Sequence, residues 1–433
     1  MLRTFYGDTV LSADWTGEYE EKSAQWFELF LDLIMVAACS NVAEGLKDDL
    51  SLRGAAAFVL LCLMYASSWH LYTHFNARFS ESSLLHYGFL YVLLIGLSGM
   101  VLSSEPGRGF TIGLLCIRAA LFCMNLSVFW SLPHVRGKAG ADMSMGLVAM
   151  TLFGIALWID RPSVTIGVYL ASLFLETFLG VALVRFAKRP GTYVAMNIDH
   201  VNEREGCLVM VALGESVVST VINSRGTDLP LAYYIAMSLS LLIIFALAIF
   251  YFATKPPRAM HAMRRSIGAG FTYSILHYLL LPTLLAIGVG TKLVSDAVRH
   301  DQELSPTSLW VLYGSISLAL LIMLLVRLLH YGGRQPAPTD PLLVQRIKYV
   351  WWGVCALSPI CPPIVAGILE AVASDGGVDP IMALACAAAI ILSWLVSETA
   401  VMHSLRALGY GYSEALHATA NLESRAPLLV VKH

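Results

Sequence analysis

Long apolar stretches with few charged residues recur along the whole chain and alternate with short polar segments. Each stretch is about 18–25 residues long, the length that an α-helix needs to cross the hydrocarbon core of a bilayer. A helix also satisfies its own backbone hydrogen bonds, as a lipid environment requires. The pattern therefore predicts an all-α polytopic membrane protein with about twelve transmembrane helices. The predicted spans lie at about 24–44, 54–74, 84–103, 109–131, 143–160, 164–186, 206–223, 230–253, 267–291, 307–330, 347–371 and 380–403.

The polar segments predict how the chain is arranged around the membrane. We expect a cytoplasmic N-terminal segment at 1–23, a transmembrane domain at 24–403 and a cytoplasmic C-terminal tail at 404–433. The first segment lacks the apolar core of a cleavable signal peptide, so the first span is expected to direct insertion. Most of the 28 Lys and Arg residues fall in the N-terminal segment, the even-numbered loops and the tail, and Arg118 is placed within a span. The positive-inside rule then predicts that both termini are cytoplasmic. The expected location is a plasma or inner membrane.

The two halves of the chain share short matching motifs. Leu85–Tyr87 and Leu276–Tyr278 have the same three residues, and each precedes a glycine-containing apolar run. The dipeptide Glu-Thr occurs late in both the sixth and the twelfth span, at Glu176 and Glu398. These matches predict two six-helix halves, at 24–190 and 195–403. Six is an even number of spans, so the halves would be parallel repeats about an axis along the membrane normal.

The composition supports a membrane protein and narrows the function classes. The chain is 57% hydrophobic and 13% charged, with a mean hydropathy of +0.68, whereas soluble domains carry about 25% charged residues. The net charge of −2 and the lack of a basic stripe give no indication of nucleic acid, so the lipid bilayer is the expected partner. There is no phosphate-binding loop of an ATP-driven pump and no potassium-type filter motif. We expect no cofactor, and the oligomeric state is left open.

The eleventh predicted span is interrupted by prolines. Pro359, Pro362 and Pro363 lie inside it, and an unbroken helix does not accommodate three such residues. The sequence therefore predicts either a discontinuous span or a helix with a re-entrant piece, lining protein or a cavity.

Ionisable residues deep in apolar spans are the main candidates for function. Arg118, Glu176 and Glu215 fall at similar depths in spans 4, 6 and 7, and His277 lies in span 9. Charged groups within the bilayer are costly and usually functional, although a buried ion pair that only fixes helix packing is the structural alternative. The four residues are predicted to form a substrate or proton pathway.

A second polar cluster is predicted on the cytoplasmic side, where three span ends meet. Glu28 and Asp32 are four residues apart and share a helix face, as do His70 and His74. The cluster comprises Glu28, Asp32, His70, His74, Asn76, Arg78, His200, Glu203 and Arg204. No metal is expected there. The alternative is a metal held by His70, His74, Glu28 and Asp32, since two histidines four residues apart on a helix have a ligand spacing.

Several of these segments resemble one family. Trp26–Val36 (WFELFLDLIMV) resembles the opening signature of the low temperature requirement protein A family, and His200–Gly206 with Leu213–Ser216 resembles its second block. Tyr72–Phe79 and His277 with the glycines that follow it are similar to two further blocks. Glu205 stands where the family has an aromatic residue, and residues 248–253 lack its acidic residue. The resemblance implies a multi-pass membrane protein named for growth in the cold, with no established reaction.

Three functional hypotheses follow. The first is a secondary transporter or an ion- or proton-translocating protein for an unknown small ion or molecule, because carboxylates and histidines in a membrane can exchange protons. The second is a membrane-embedded metal-dependent enzyme acting on lipid, which ranks lower because the sequence lacks repeated histidine motifs. The third is a non-catalytic protein for cold or stress adaptation. Enzymatic activity is therefore the less favoured interpretation.

Overall fold

The structure is a computed structural model that describes residues 9–11, 24–159, 161–179, 194–222, 229–252, 261–330, 336–373 and 377–410. These residues form α-helices linked by short connections, with one pair of two-residue antiparallel strands, β1 (Val10–Leu11) and β2 (Phe79–Ser80). The α-helices are α1 (Trp26–Asp48), α2 (Leu52–Asn76), α3 (Leu84–Ser103), α4 (Arg108–Ser131), α5 (Arg136–Ile159), α6 (Pro162–Phe174), α7 (Ile198–Ile222), α8 (Leu231–Phe252), α9 (Ala262–Arg265), α10 (Ile267–Arg299), α11 (Pro306–His330), α12 (Leu342–Leu357), α13 (Cys361–Val372) and α14 (Pro380–Ala407).

The helices confirm an all-α polytopic membrane protein. Within the described ranges, nine helices are long and apolar enough to cross a membrane, or ten if the bent pair α12 and α13 is one span. The predicted sixth and seventh spans are also helical, as α6 and α7, but they lie outside that count. The exact number of twelve spans therefore stays a prediction.

The predicted interruption of the eleventh span is confirmed. Helix α12 ends at Leu357, α13 begins at Cys361, and the two axes are bent by 47°. Pro362 lies in the first turn of α13, where its missing N–H would have had no helical partner in any case. The proline run thus ends one helix and starts the next.

Polar side chains set the first turn of several helices. Ser51 and Ser83 precede α2 and α3, and each hydroxyl accepts a hydrogen bond from a backbone N–H of the first turn. Such N-caps satisfy donors that have no partner within the helix. At α1 the carboxylate of Glu28 accepts from the backbone N–H of Gln25 at 2.9 Å, which fixes the position of a candidate site residue.

The chain divides into two compact units, residues 1–215 and 216–433. In the first unit α3 and α4 approach closely because Gly96 and Gly113 have no side chain. A Cβ atom on Gly96 would lie 2.7 Å from the carbonyl oxygen of Gly113. In the second unit Gly290 of α10 lies against Leu312 of α11, where a Cβ would be 2.7 Å from the Cα of Leu312. The division leaves the predicted repeat of two halves untested.

Candidate functional site

A buried arginine and a glutamate form a two-point ion pair in the first unit. The Nε of Arg118 on α4 donates to Oε1 of Glu176 at 2.6 Å, and Nη2 donates to Oε2 at 2.8 Å. Arg118 is 1% exposed. Ser68 and Ser67 of α2 accept from the remaining guanidinium N–H groups at 3.1 and 3.3 Å, and the Ser67 hydroxyl also donates to Glu176 at 3.0 Å. The pair therefore connects α2, α4 and the segment after α6.

Glu176 lies in a stretch of altered helical winding. α6 ends at Phe174, and Leu175–Leu179 continues it as a π-helical turn. Such turns contain one extra residue per turn and occur often at functional sites. The wider turn places the carboxylate of Glu176 on Arg118.

The ion pair forms part of the wall of a polar cavity of about 120 Å³. This volume suits a hydrated ion or a molecule of a few heavy atoms. The charged and polar groups on its wall are His74, Arg78, Arg118, Asn125, Asp142 and Glu176. Asp142 is also paired with Lys138 one turn before it on α5.

Two polar atoms at this cavity have no protein partner among the described residues. Asn125 is more than nine-tenths buried, and its amide donates to the Leu121 carbonyl oxygen at 2.9 Å while its Oδ1 accepts nothing. The Nε2 of His74 is likewise buried without a hydrogen bond. An unsatisfied buried polar atom is costly, so each of these two atoms would gain from a hydrogen-bond partner.

Glu215 does not belong to the Arg118 pair. It is buried on α7 and lies within electrostatic range of Cys39 on α1. Among the described residues, the guanidinium of Arg118 bonds only to Glu176, Ser67 and Ser68. The sequence places three ionisable groups at similar depths, and the structure pairs two of them, Arg118 and Glu176, while Glu215 is not a partner of Arg118.

A second ion pair joins the first and seventh helices. Arg204 on α7 donates from Nη1 and Nη2 to the two carboxylate oxygens of Asp32 on α1, at 2.7 and 2.8 Å. The indole N–H of Trp69 donates to the same carboxylate at 2.8 Å, and the Arg204 guanidinium lies 4.9 Å from the Trp69 ring centroid. The sequence pattern assigns Asp32 and Arg204 to one cluster without pairing them, and it gives no signal for the contribution of Trp69.

Glu28 lies one helical turn before Asp32 on α1, and its carboxylate contacts a different set of side chains. Its Oε1 accepts from Asn76 at 3.0 Å and lies 3.1 Å from Nε2 of His200. The Nε of Arg204 is 4.0 Å from the same oxygen. Both Glu28 and His200 are fully buried. The structure therefore brings together five of the nine residues of the predicted cluster: Glu28, Asp32, Asn76, His200 and Arg204.

His70 pairs with a carboxylate that lies outside the predicted cluster. Its Nε2 lies 2.9 Å from Oε1 of Glu205 on α7, and its Nδ1 lies 2.8 Å from the backbone oxygen of Ala66. Both His70 and Glu205 are 0% exposed. The departure of Glu205 from the family pattern is the one sequence signal that points to this contact.

The other predicted members of the cluster lie elsewhere. His74 and Arg78 line the cavity beside Arg118, and Glu203 is exposed, with its carboxylate accepting from the backbone N–H of Ala24 at 3.1 Å. The alternative metal set of His70, His74, Glu28 and Asp32 does not assemble, because Arg204, His200 and Glu205 already occupy its donors. In the described part of the chain, no three His, Cys, Asp or Glu side chains are placed to hold a metal.

His277 lies in the second unit, in a cluster of histidine and tyrosine. The hydroxyl of Tyr251 lies 2.9 Å from its Nε2, and its Nδ1 donates to the backbone oxygen of Tyr273 at 2.9 Å. His330 and His261 pack nearby, with ring centroids 4.7 Å apart. His277 is thus a buried, hydrogen-bonded residue of this cluster.

The second unit has its own buried Arg–Glu pair. The Nη1 of Arg327 on α11 donates to both oxygens of Glu398 on α14 at 2.8 and 2.9 Å, and Nη2 donates to the Phe250 carbonyl oxygen at 2.9 Å. Arg327 is 3% exposed within α11, inside the predicted tenth span at 307–330. The match between Glu176 and Glu398 is the sequence signal that points to this pair.

Comparison with known proteins gives one match. The family model described as Bacterial low temperature requirement A protein (LtrA) matches residues 23–409. Since the match covers most of the chain, the protein belongs to this family. No curated protein and no solved structure matches the chain.

Proposed function

We propose that this member of the low temperature requirement A family moves protons or small ions across its membrane, through the cavity beside Arg118 and Glu176. The observation that carries the proposal is the ion pair on the wall of a polar cavity within a bundle of apolar helices. Ionisable groups inside membrane helices face bundle interiors or wet cavities and often mark ion and proton pathways. The Arg118–Glu176 pair is ionisable, lies inside the helix bundle and lines a cavity.

The arrangement supports a two-state element. Arg118 keeps Ser67 and Ser68 as acceptors if Glu176 is protonated or engages a cation. The arginine therefore has alternative partners that lower the cost of leaving the glutamate, whereas an unpartnered arginine in this position would be strongly destabilising. A proton or cation at Glu176 would release α4 from the π-helical turn, and this release is the proposed coupling step.

The cavity also has polar groups suited to a passing ion. Asn125 and His74 line the same cavity as Glu176, and Oδ1 of Asn125 and Nε2 of His74 have no hydrogen-bond partner among the described residues. Arg78 and Asp142 line the remainder of the cavity. We expect both termini to be cytoplasmic, on the basis of the distribution of Lys and Arg along the loops, which puts the His74 and Arg78 side of the cavity nearer the cytoplasm than Arg118 and Glu176.

The test is ion flux in proteoliposomes. Purified protein is reconstituted into liposomes that enclose a pH-sensitive dye, and proton flux is measured under an imposed pH gradient. The fluxes of potassium, sodium and chloride are then measured in turn. We expect flux above that of empty liposomes for at least one ion, reduced about tenfold or more in Glu176→Gln and reduced also in Asn125→Leu, which replaces a polar residue that lines the cavity and makes no hydrogen bond to the ion pair. Flux equal to empty liposomes for every ion, or a Glu176→Gln variant as active as the wild type, would end the proposal.

A further inference from the structure

His70 and Glu205 share a proton within the core of the first unit. The Nδ1 of His70 lies 2.8 Å from the carbonyl oxygen of Ala66, four residues before it on α2. A carbonyl oxygen only accepts hydrogen bonds, so Nδ1 carries a hydrogen. The other ring nitrogen, Nε2, faces Oε1 of Glu205 at 2.9 Å.

Only two protonation states satisfy this contact. If Glu205 is ionised, Nε2 must also donate and His70 is an imidazolium. If His70 is neutral, Nε2 is an acceptor and Glu205 must be the carboxylic acid. Both states hold one proton between Nε2 and Oε1. Loss of that proton would leave a nitrogen lone pair facing a carboxylate oxygen, and the contact would have to open.

The surroundings keep this pair away from water. Both side chains are 0% exposed. The nearby carboxylates have partners of their own: Asp32 on α1 is held by Arg204 of α7, and Glu176 by Arg118 of α4. Charged and titratable groups on α2 and on the elements beside it include Glu28, Asp32, His74, Arg78, Glu81, Arg118, Lys138, Asp142, Glu176, His200, Glu203 and Arg204.

The pair lies one helical turn from the cavity. The ring centroids of His70 and His74 are 5.8 Å apart, and His74 lines the cavity with its Nε2 free of any protein hydrogen bond among the described residues. His74 therefore lies beside His70 and also lines the cavity that Glu176 lines. His70 or Glu205 would give up one proton, and His74 would gain it and become an imidazolium.

We infer that His70 and Glu205 form a proton-binding site that serves the cavity, and that the ion the protein couples to is H⁺. This inference rests on the proposed function and names its ion. The inference gives Glu205 a role. It also gives His70 a partner outside the cluster around Asp32, to which the sequence pattern assigns His70.

Nitrogen NMR of the histidines in the full-length protein, with His70→Asn to assign the signal, tests the protonation state directly. We expect His70 to be either an imidazolium, or an Nδ1–H imidazole together with a protonated-carboxyl infrared band that disappears in Glu205→Gln. An Nδ1–H imidazole beside an ionised Glu205, or an Nε2–H tautomer, between roughly pH 5 and pH 9 would overturn the inference. The wild-type spectrum decides this even if Glu205→Gln does not fold.

Flux separates this inference from the proposed function. We expect Glu205→Gln, which keeps a hydrogen bond to His70 but carries no exchangeable acid, to lower proton flux about tenfold or more. Glu44→Gln, at an exposed carboxylate on α1, should match the wild type. If Glu176→Gln abolishes flux and Glu205→Gln does not, the cavity remains the pathway and the proton site is wrong. If the wild type carries no ion at all, the proposed function fails and the nitrogen spectrum still decides the state of His70.

Discussion

The carboxylate of Asp32 and the guanidinium of Arg204 are 172 residues apart in sequence and meet at two points, at 2.7 and 2.8 Å. Their contact links α1 to α7 inside the first unit, and the indole N–H of Trp69 donates a further hydrogen bond to Asp32. Both residues belong to the motifs that carry the family resemblance. These motifs therefore include a structural cross-link between distant helices, separate from the cavity beside Arg118.

Asp32→Asn should be severely destabilising. It removes the counter-charge of an arginine that is 0% exposed, and breaking a buried ion pair from one side costs about 3–5 kcal/mol. The measurement is the free energy of unfolding in detergent, with Glu44→Gln as the control because Glu44 is an exposed carboxylate on the same helix. Equal stability of the two variants would show that Asp32 is not the counter-ion.

Gly96→Ala and Gly99→Ala form a matched pair on α3. At Gly96 the new methyl group would lie 2.7 Å from the Gly113 carbonyl oxygen, while at Gly99 nothing lies within 4 Å. Close helix contacts in membranes depend on such small residues, and overpacking costs about 1–3 kcal/mol. We expect a lower melting temperature for Gly96→Ala only. A Gly96→Ala variant as stable as Gly99→Ala would contradict the packing of α3 on α4.

The Arg327–Glu398 pair should behave as a structural element. Glu398→Gln leaves a buried arginine without its counter-ion and should cost about 3–5 kcal/mol, whereas the double variant Arg327→Met with Glu398→Leu should recover much of that loss because it removes both charges. Thermal unfolding of the three proteins is the measurement. A double variant that is less stable than either single variant would mean that the Arg327–Glu398 ion pair itself stabilises the protein and is not merely a way to avoid an unpaired buried charge.

Asp340 gives a pH-dependent prediction outside the predicted spans. Burial acts to raise the pKa of Asp340, but hydrogen bonds from Lys348 and from the Ala337 N–H, at 2.8 and 3.0 Å, lower it below its ordinary value. Because the folded pKa is below the unfolded one, the contact stabilises the protein at neutral pH, and its contribution is lost as the pH falls through the folded pKa. Asp340→Asn should therefore melt lower than the wild type at pH 7, and the difference should shrink under acid. A difference that grows on acidification would contradict the assignment.

The helices and one polar cluster can be predicted from the sequence because they depend on local pattern. Alternating span directions and the four-residue spacing of Glu28 and Asp32 place both carboxylates at the same end of the bundle as Arg204. A helix that is apolar on most sides, as α2 is, carries no periodic signal to fix its rotation. The partners of Trp69 and His70 could therefore not be predicted from the sequence.

The partners of the buried charges could not be predicted from the sequence. A basic residue in the last turn of a span, such as Arg327 in α11, has the same sequence pattern as one that follows the positive-inside rule. Glu215 matches Arg118 in depth along the sequence, but depth alone does not determine which helices are neighbours. Only the packing of α2, α4 and the turn after α6 determines that Glu176 is the partner of Arg118.

The most direct test of the central claim compares Glu176→Gln with Glu398→Gln in the same flux assay. Both substitutions neutralise a buried glutamate that holds an arginine, but only Glu176 lines the cavity. With flux normalised to folded protein, the cavity mechanism predicts that Glu176→Gln loses proton flux and Glu398→Gln retains it. Equal loss in both variants, or loss in Glu398→Gln alone, would contradict it.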